Sequence, residues 1–262
     1  MLITVAVDHC TDATVARAQE MAASDSRFHV LELDAQSARE TGLPDGGTVG
    51  AARDAGLRWG VARMTGGDPE RERGGGAGEA DAPEPEAGIW VASTDADTVV
   101  PADWLVAQTA LAAQRARGEQ TPRPTVPRVL VAGTVMPHPG DLDRDVEHLW
   151  YADYEHGEDH PHIHGANLGM PWPVYRELGG FPHVSADEDV SLVEAARSAG
   201  VPVIATDRTR VVTSGRTEGR TPAGFAGFLR DLGAGGLDPV RRGDRSHRAS
   251  APHSAPTPGP AP

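Results

Sequence analysis

The chain has 262 residues, is 39% hydrophobic and 24% charged, and carries a formal net charge of −14 at pH 7. That apolar content suits a sizeable core in one or two domains, and the acidity excludes a broad phosphate-binding face, so nucleic acid is not an expected partner. All 24 basic residues are arginine and Cys10 is the only cysteine, which removes lysine nucleophiles and bases, the phosphate-loop lysine, an intramolecular disulfide and cysteine metal knuckles.

The apolar, β-branched run LITVAV (2–7) predicts a strand ending at Asp8. It has no basic flank and no small-residue cleavage site, so it does not read as a signal peptide. With no run of about 18 apolar residues for a spanning helix, a soluble cytoplasmic protein is expected. Thr11 or Asp12 is placed to cap a helix through Ala23, and FHVLEL (28–33) is a second strand. Residues 34–47 read as a polar loop, and 48–64 carry small and apolar residues at helical spacing. Residues 65–87 are Gly, Pro and Glu with almost nothing apolar, and read as a disordered insertion.

GIWVAST (88–94) predicts a buried strand ending at Asp95-Ala96-Asp97. Pro101 opens a helix over 102–118, a proline-rich break covers 121–127, and 128–136 predicts the next strand. Residues 141–157 are amphipathic and helical, and 161–171 extended or loop. A short helix over 174–181 ends at a glycine pair, and a clear helix covers 187–200. Strands over 201–206 and 210–215 and a helix over 223–233 complete the pattern. One domain is therefore expected over 1–235, with a disordered tail over 236–262. The alternation predicts an α/β fold with a mostly parallel central sheet flanked by helices, and ligands at the carboxyl ends of its strands.

Asp95 and Asp97 flank one alanine just after a buried strand. Residues i and i+2 of an extended turn point the same way, so both carboxylates are placed to reach one hard cation, Mg²⁺ or Mn²⁺. The plainer alternative is that they end a strand and cap the next helix. The run STDADTV also fits the D-x-D-x-[TV] start of haloacid-dehalogenase-type phosphatases, with Asp95 as nucleophile, although the lysine such enzymes can use is absent. Glu188 and Asp189 open a helix, where acids are favoured with or without a catalytic task.

Five segments together resemble the family 2 glycosyltransferases of the GT-A fold: Asp8–Thr14, VGAARDAG (49–56), TDAD (94–97), GANLGMPWPVYRELGGF (165–181) and ADEDVSLVEAARSAG (186–200). The resemblance covers roughly residues 2–232 and implies metal-assisted, inverting, nonprocessive transfer of a sugar from a nucleotide-sugar donor to an acceptor hydroxyl. It implies that Asp8 bonds the nucleotide base and that Arg53 lies along base and diphosphate. Asp95 would serve as the ribose-side or water-mediated acid of the D-x-D pair, Asp97 as the direct ligand of Mn²⁺ or Mg²⁺, and Asp189 as general base. Asn167 would line the donor and acceptor pocket.

The chain departs from the family's pattern where a further strand would precede the Asp8 strand. Its absence is expected to leave an open edge on the strand carrying Ile3 and Val5, and another on the strand carrying Trp90 and Val91. The processive Q-x-x-R-W signature is also missing. A non-catalytic or truncated module of the same type therefore stands as the alternative to an enzyme. His160, His162 and His164 alternate in HPHIHG and would share one face of a strand, as a Zn²⁺ site or as a loop over an acceptor. Arg216 and Arg220 read either as diphosphate contacts or as solvated side chains.

Overall fold

The structure, a computed structural model, describes residues 1–34, 46–67, 86–118, 126–219 and 224–234. The expected insertion over 65–87 lies almost entirely outside these residues, as do the tail over 236–262, most of the proline-rich break and Arg220.

The chain opens with β1 (Ile3–Asp8), α1 (Thr14–Ser24) and β2 (Phe28–Leu33). β1 and β2 pair in parallel, from Ile3 opposite Phe28 to Asp8 opposite Leu33, and form a sheet of their own. α2 (Val49–Thr65) packs on it and buries Ala55 against Leu31 and Leu33. Thr48 starts α2 by accepting the Ala51 N–H at 3.1 Å. Gly66, at φ 70°, ends it with the left-handed turn that a glycine makes without strain.

The second sheet has five strands: β3 (Trp90–Ser93), β4 (Thr98–Val99), β5 (Leu130–Pro137), β6 (Leu168–Pro171) and β7 (Val203–Thr213). Their order is β3-β6-β5-β7-β4. Only β5 and β7 run parallel; the β3–β6, β5–β6 and β4–β7 pairs are antiparallel. Among the described residues β1 pairs on one side only, with β2, and β3 on one side only, with β6.

This architecture corrects the expected GT-A sheet. One mostly parallel sheet was expected; among the described residues there are two, and the larger is mixed. The segment between β5 and β6 supplies the reason. After β5 the chain forms α4 (Arg144–Asp153), and a helix alone would bring it back for a parallel strand. Residues 160–164 instead run beside the sheet before the chain turns back, with His160 Nε2 near the Thr206 carbonyl. Asp159 donates its N–H to the Ala205 carbonyl at 2.9 Å. His164 meets the Tyr154 hydroxyl at 2.9 Å, and that hydroxyl sits on the Val135 amide at 3.2 Å. The 3₁₀ turn Gly165–Asn167 then sends β6 back antiparallel to β5.

α3 (Trp104–Gly118), α5 (Trp172–Glu177), α6 (Glu188–Ser198) and α7 (Phe225–Gly233) complete the structure. The main core gathers Leu130, Ile163, Leu168, Trp172, Tyr175 and Leu192, joining the sheet to α5 and α6. A side chain of this size contributes roughly 1.5–3 kcal/mol when fully buried. Among the described residues no helix is long and apolar enough to cross a membrane.

Candidate functional site

The carboxyl ends of β1 and β3 and the start of α6 supply the polar residues that the sequence singles out. At the end of β1, both oxygens of Asp8 accept the Gly47 N–H, at 3.0 and 3.1 Å, and Oδ1 also meets His9 Nδ1 at 2.7 Å. Gly46 and Gly47 have φ of 84° and 83°. A Cβ on Gly46 would stand 2.1 Å from Asp8 Oδ1, so glycine is what lets this loop reach the carboxylate.

Gly47 leads directly into α2, whose second turn carries Arg53. The guanidinium bridges two acids: Nη2 donates to Asp95 Oδ1 at 2.5 Å, and Nη1 donates to Glu188 Oε1. It also lies 5.7 Å from the centre of the Phe181 ring, and its Nε is buried without a partner. Gly165 lets it sit there, because a Cβ on that residue would stand 2.3 Å from Arg53 Nη1. Burial alone would lower the guanidinium pKa; Asp95 and Glu188, with Asp189 behind them, outweigh it and raise the value above the usual arginine range. Burial pushes the Glu188 carboxyl up, with Asp189 and Asp95 adding to the rise and Arg53 opposing it.

Asp189 joins the same cluster from the first turn of α6. Its Oδ2 accepts the Gly165 N–H at 2.7 Å and its Oδ1 the Val190 N–H at 2.9 Å, so it ties the 3₁₀ turn to the helix. Asp187, at φ 61°, aims the chain into that turn from the left-handed region, which Asp tolerates better than most residues.

Asp97 is elsewhere. Its Oδ2 pairs with Arg216 Nη1 at 2.7 Å, and its Oδ1 accepts from Thr213 Oγ1 at 3.4 Å at the end of β7. Arg216 is thus the partner of an acid. Asn167 is fully buried, and its amide holds core elements together. Nδ2 donates to the Thr134 and Thr209 carbonyls at 2.8 and 2.7 Å, and Oδ1 accepts from Trp104 Nε1 at 2.9 Å.

The alternating histidines form a stack. His160 and His162 lie 5.8 Å apart between ring centres, His162 and His164 6.1 Å, and Tyr154 stacks on His162 at 3.8 Å and 8°. Burial lowers the His160 pKa, against hydrogen bonds to the backbone and the charge of Asp207, which raise it.

Sequence reasoning missed the network behind Arg53. Asp54 accepts from Arg58 Nε at 2.9 Å and from the Tyr175 hydroxyl at 2.8 Å, and meets His183 at 3.3 Å. Asp54 and Arg58 stand at i, i+4 on α2, and that spacing was the available signal. No signal in the sequence paired Arg53 with Glu188, which are 135 positions apart.

No protein-family profile matches the chain, and no curated protein matches it. Among the described residues no three His, Cys, Asp or Glu side chains form a group able to hold a metal ion. That overturns the expected Mn²⁺ or Mg²⁺ centre, and Asp95 and Asp97 show the physical reason: the two carboxylates are already engaged by different arginines, Asp95 by Arg53 and Asp97 by Arg216. With neither the GT-A sheet nor a metal cluster, the assignment to the family 2 glycosyltransferases is corrected, and with it the glycosyltransferase activity that the resemblance implied.

Proposed function

We propose that the chain is a non-catalytic binding module whose ligand contacts the cluster around Arg53. The observation that carries this is the state of Asp95. Its side chain is 41% exposed, while the arginine that holds it is 12% exposed. A buried cation thus fixes an accessible acceptor in place, and such preorganisation lowers the ordering cost of binding.

The chemistry of the ligand follows from charge. Asp95, Glu188 and Asp189 surround one guanidinium, so the balance is negative. A bare phosphate is disfavoured there. Asp95 and Glu188 each give one oxygen to Arg53, and Asp95, the more exposed of the two, presents its carboxylate as the acceptor. Groups that donate hydrogen bonds suit it: the hydroxyls of a sugar, or the ribose and N–H edge of a nucleoside.

Calorimetric titration in chelator tests the reading, with glucose, inositol, uridine and guanosine and their diphosphate counterparts as probes. The expected result is binding of an uncharged probe that weakens on adding a diphosphate and is lost in Asp95→Ala. Binding unaffected by Asp95→Ala, or turnover of a nucleotide-sugar, would overturn it.

A further inference from the structure

His162 is bound in one protonation state. The Glu155 backbone N–H points at its Nε2 at 3.0 Å. A backbone amide only donates, so this nitrogen accepts, and the ring is neutral with its proton on Nδ1. A proton added to Nε2 would put two N–H groups face to face and remove the bond. His162 is nearly buried, at 9% exposure, so water has little room to replace it.

The same ring is the centre of the stack that lays residues 154–164 along β5 and β7. The Tyr154 ring lies on it at 3.8 Å, and the Tyr154 hydroxyl holds the Val135 amide and meets His164 at 2.9 Å. His164 directly precedes Gly165, whose N–H holds Asp189 and whose missing side chain admits Arg53.

We propose that protonation of His162 releases residues 154–164 from the sheet and loosens the Gly165 turn, making this segment a pH-sensitive strap. The groups around the ring define the balance. On its own segment stand Glu155, His156, Glu158, Asp159, His160 and His164, with Glu158 bonded to Thr206 and paired with Arg208, and Tyr154 faces the ring from the end of α4. On β7, Asp207 lies near His160 and Tyr154 and favours a positive charge there, while Arg210, paired with Asp207, opposes one. Phe225 of α7 closes the far side against His164. Release of the strap does not depend on what the Arg53 cluster binds; only its effect on a ligand rests on the function proposed above.

The test needs no ligand. Amide exchange at Glu155, corrected for the intrinsic effect of pH, should lose protection by roughly fivefold or more between about pH 7.5 and about pH 5, as the loss of one hydrogen bond requires. His162→Gln keeps an acceptor without a titrating ring and should abolish that change. Equal protection at both pH values in the natural chain, or an undiminished loss in His162→Gln, would overturn the proposal. Nitrogen chemical shifts of the natural His162 ring give an independent reading that no folding defect can obscure. An unprotonated Nε2 at neutral pH is expected, and a protonated one contradicts the mechanism.

Discussion

Asp95 and Asp97 stand one residue apart, yet each is held by a different arginine: Asp95 by Arg53 at 2.5 Å and Asp97 by Arg216 at 2.7 Å. A pair of acids that would converge on a cation is thereby drawn to two cations the protein already owns. Millimolar Mn²⁺ or Mg²⁺ should leave the unfolding temperature where chelator leaves it. A metal bound well above its Kd would add roughly 2.7 kcal/mol and raise the midpoint by several degrees, and such a rise in a thermal melt would contradict this account.

The two ion pairs should differ sharply in worth. Arg53 and Glu188 are 12% and 10% exposed, so Arg53→Ala leaves a buried acid without its partner and should cost about 3 kcal/mol. Arg216 is 59% exposed, and Arg216→Ala should cost less than about 1 kcal/mol. Urea unfolding of the two variants measures both, and equal losses would show that Arg53 is not the organising cation.

Asn167 should behave as a fixture of the core. Asn167→Ala strands the Thr134 and Thr209 carbonyls and the Trp104 indole N–H, at a cost of about 3 kcal/mol or more. Asn167→Asp should be no milder, since a carboxylate cannot donate to two carbonyls. Thermal unfolding that finds either variant as stable as the natural chain would refute the assignment.

Stability should fall on mild acidification, and His160 gives part of the reason. Burial lowers its pKa in the folded state, so the unfolded chain takes up the proton first. The contribution is complete above the unfolded value near 6.5 and is lost as pH falls from there toward the lower folded value. His160→Phe should flatten this part of the profile. A chain whose denaturant midpoint is constant from about pH 7.5 to about pH 5 would contradict the prediction.

Local pattern made most elements legible. The β-branched run of β1, the apolar run of β2, the helical spacing of α2 and the glycine stop after α6 place each within a few residues of its observed position. Pairing was not legible. Leu168–Pro171 reads as extended or loop in a Gly- and Pro-rich context, with nothing to name its partners, and it forms β6 between β3 and β5, because Asn167 and the 3₁₀ turn aim it there. β7 reads as two strands with polar residues between them, but Thr206 and Thr209 are buried and one strand runs through. The same limit governs the site. Arg53, Asp95, Glu188 and Asp189 all stand out in the sequence as residues of interest, but their charges combine only in three dimensions. A resemblance spread over five short segments carried no information about strand direction.

The most direct measurement is a two-dimensional amide NMR titration of the chain, in chelator, with the uncharged sugars and nucleosides. The Gly165 and Val190 amides, both held by Asp189, report on the Arg53 cluster. The account predicts that at least one of these ligands shifts those two amides saturably, and that adding Mg²⁺ in excess of the chelator changes neither the shifts nor the midpoint. Shifts that appear only once a divalent cation is present, or none with any of the ligands, would contradict it.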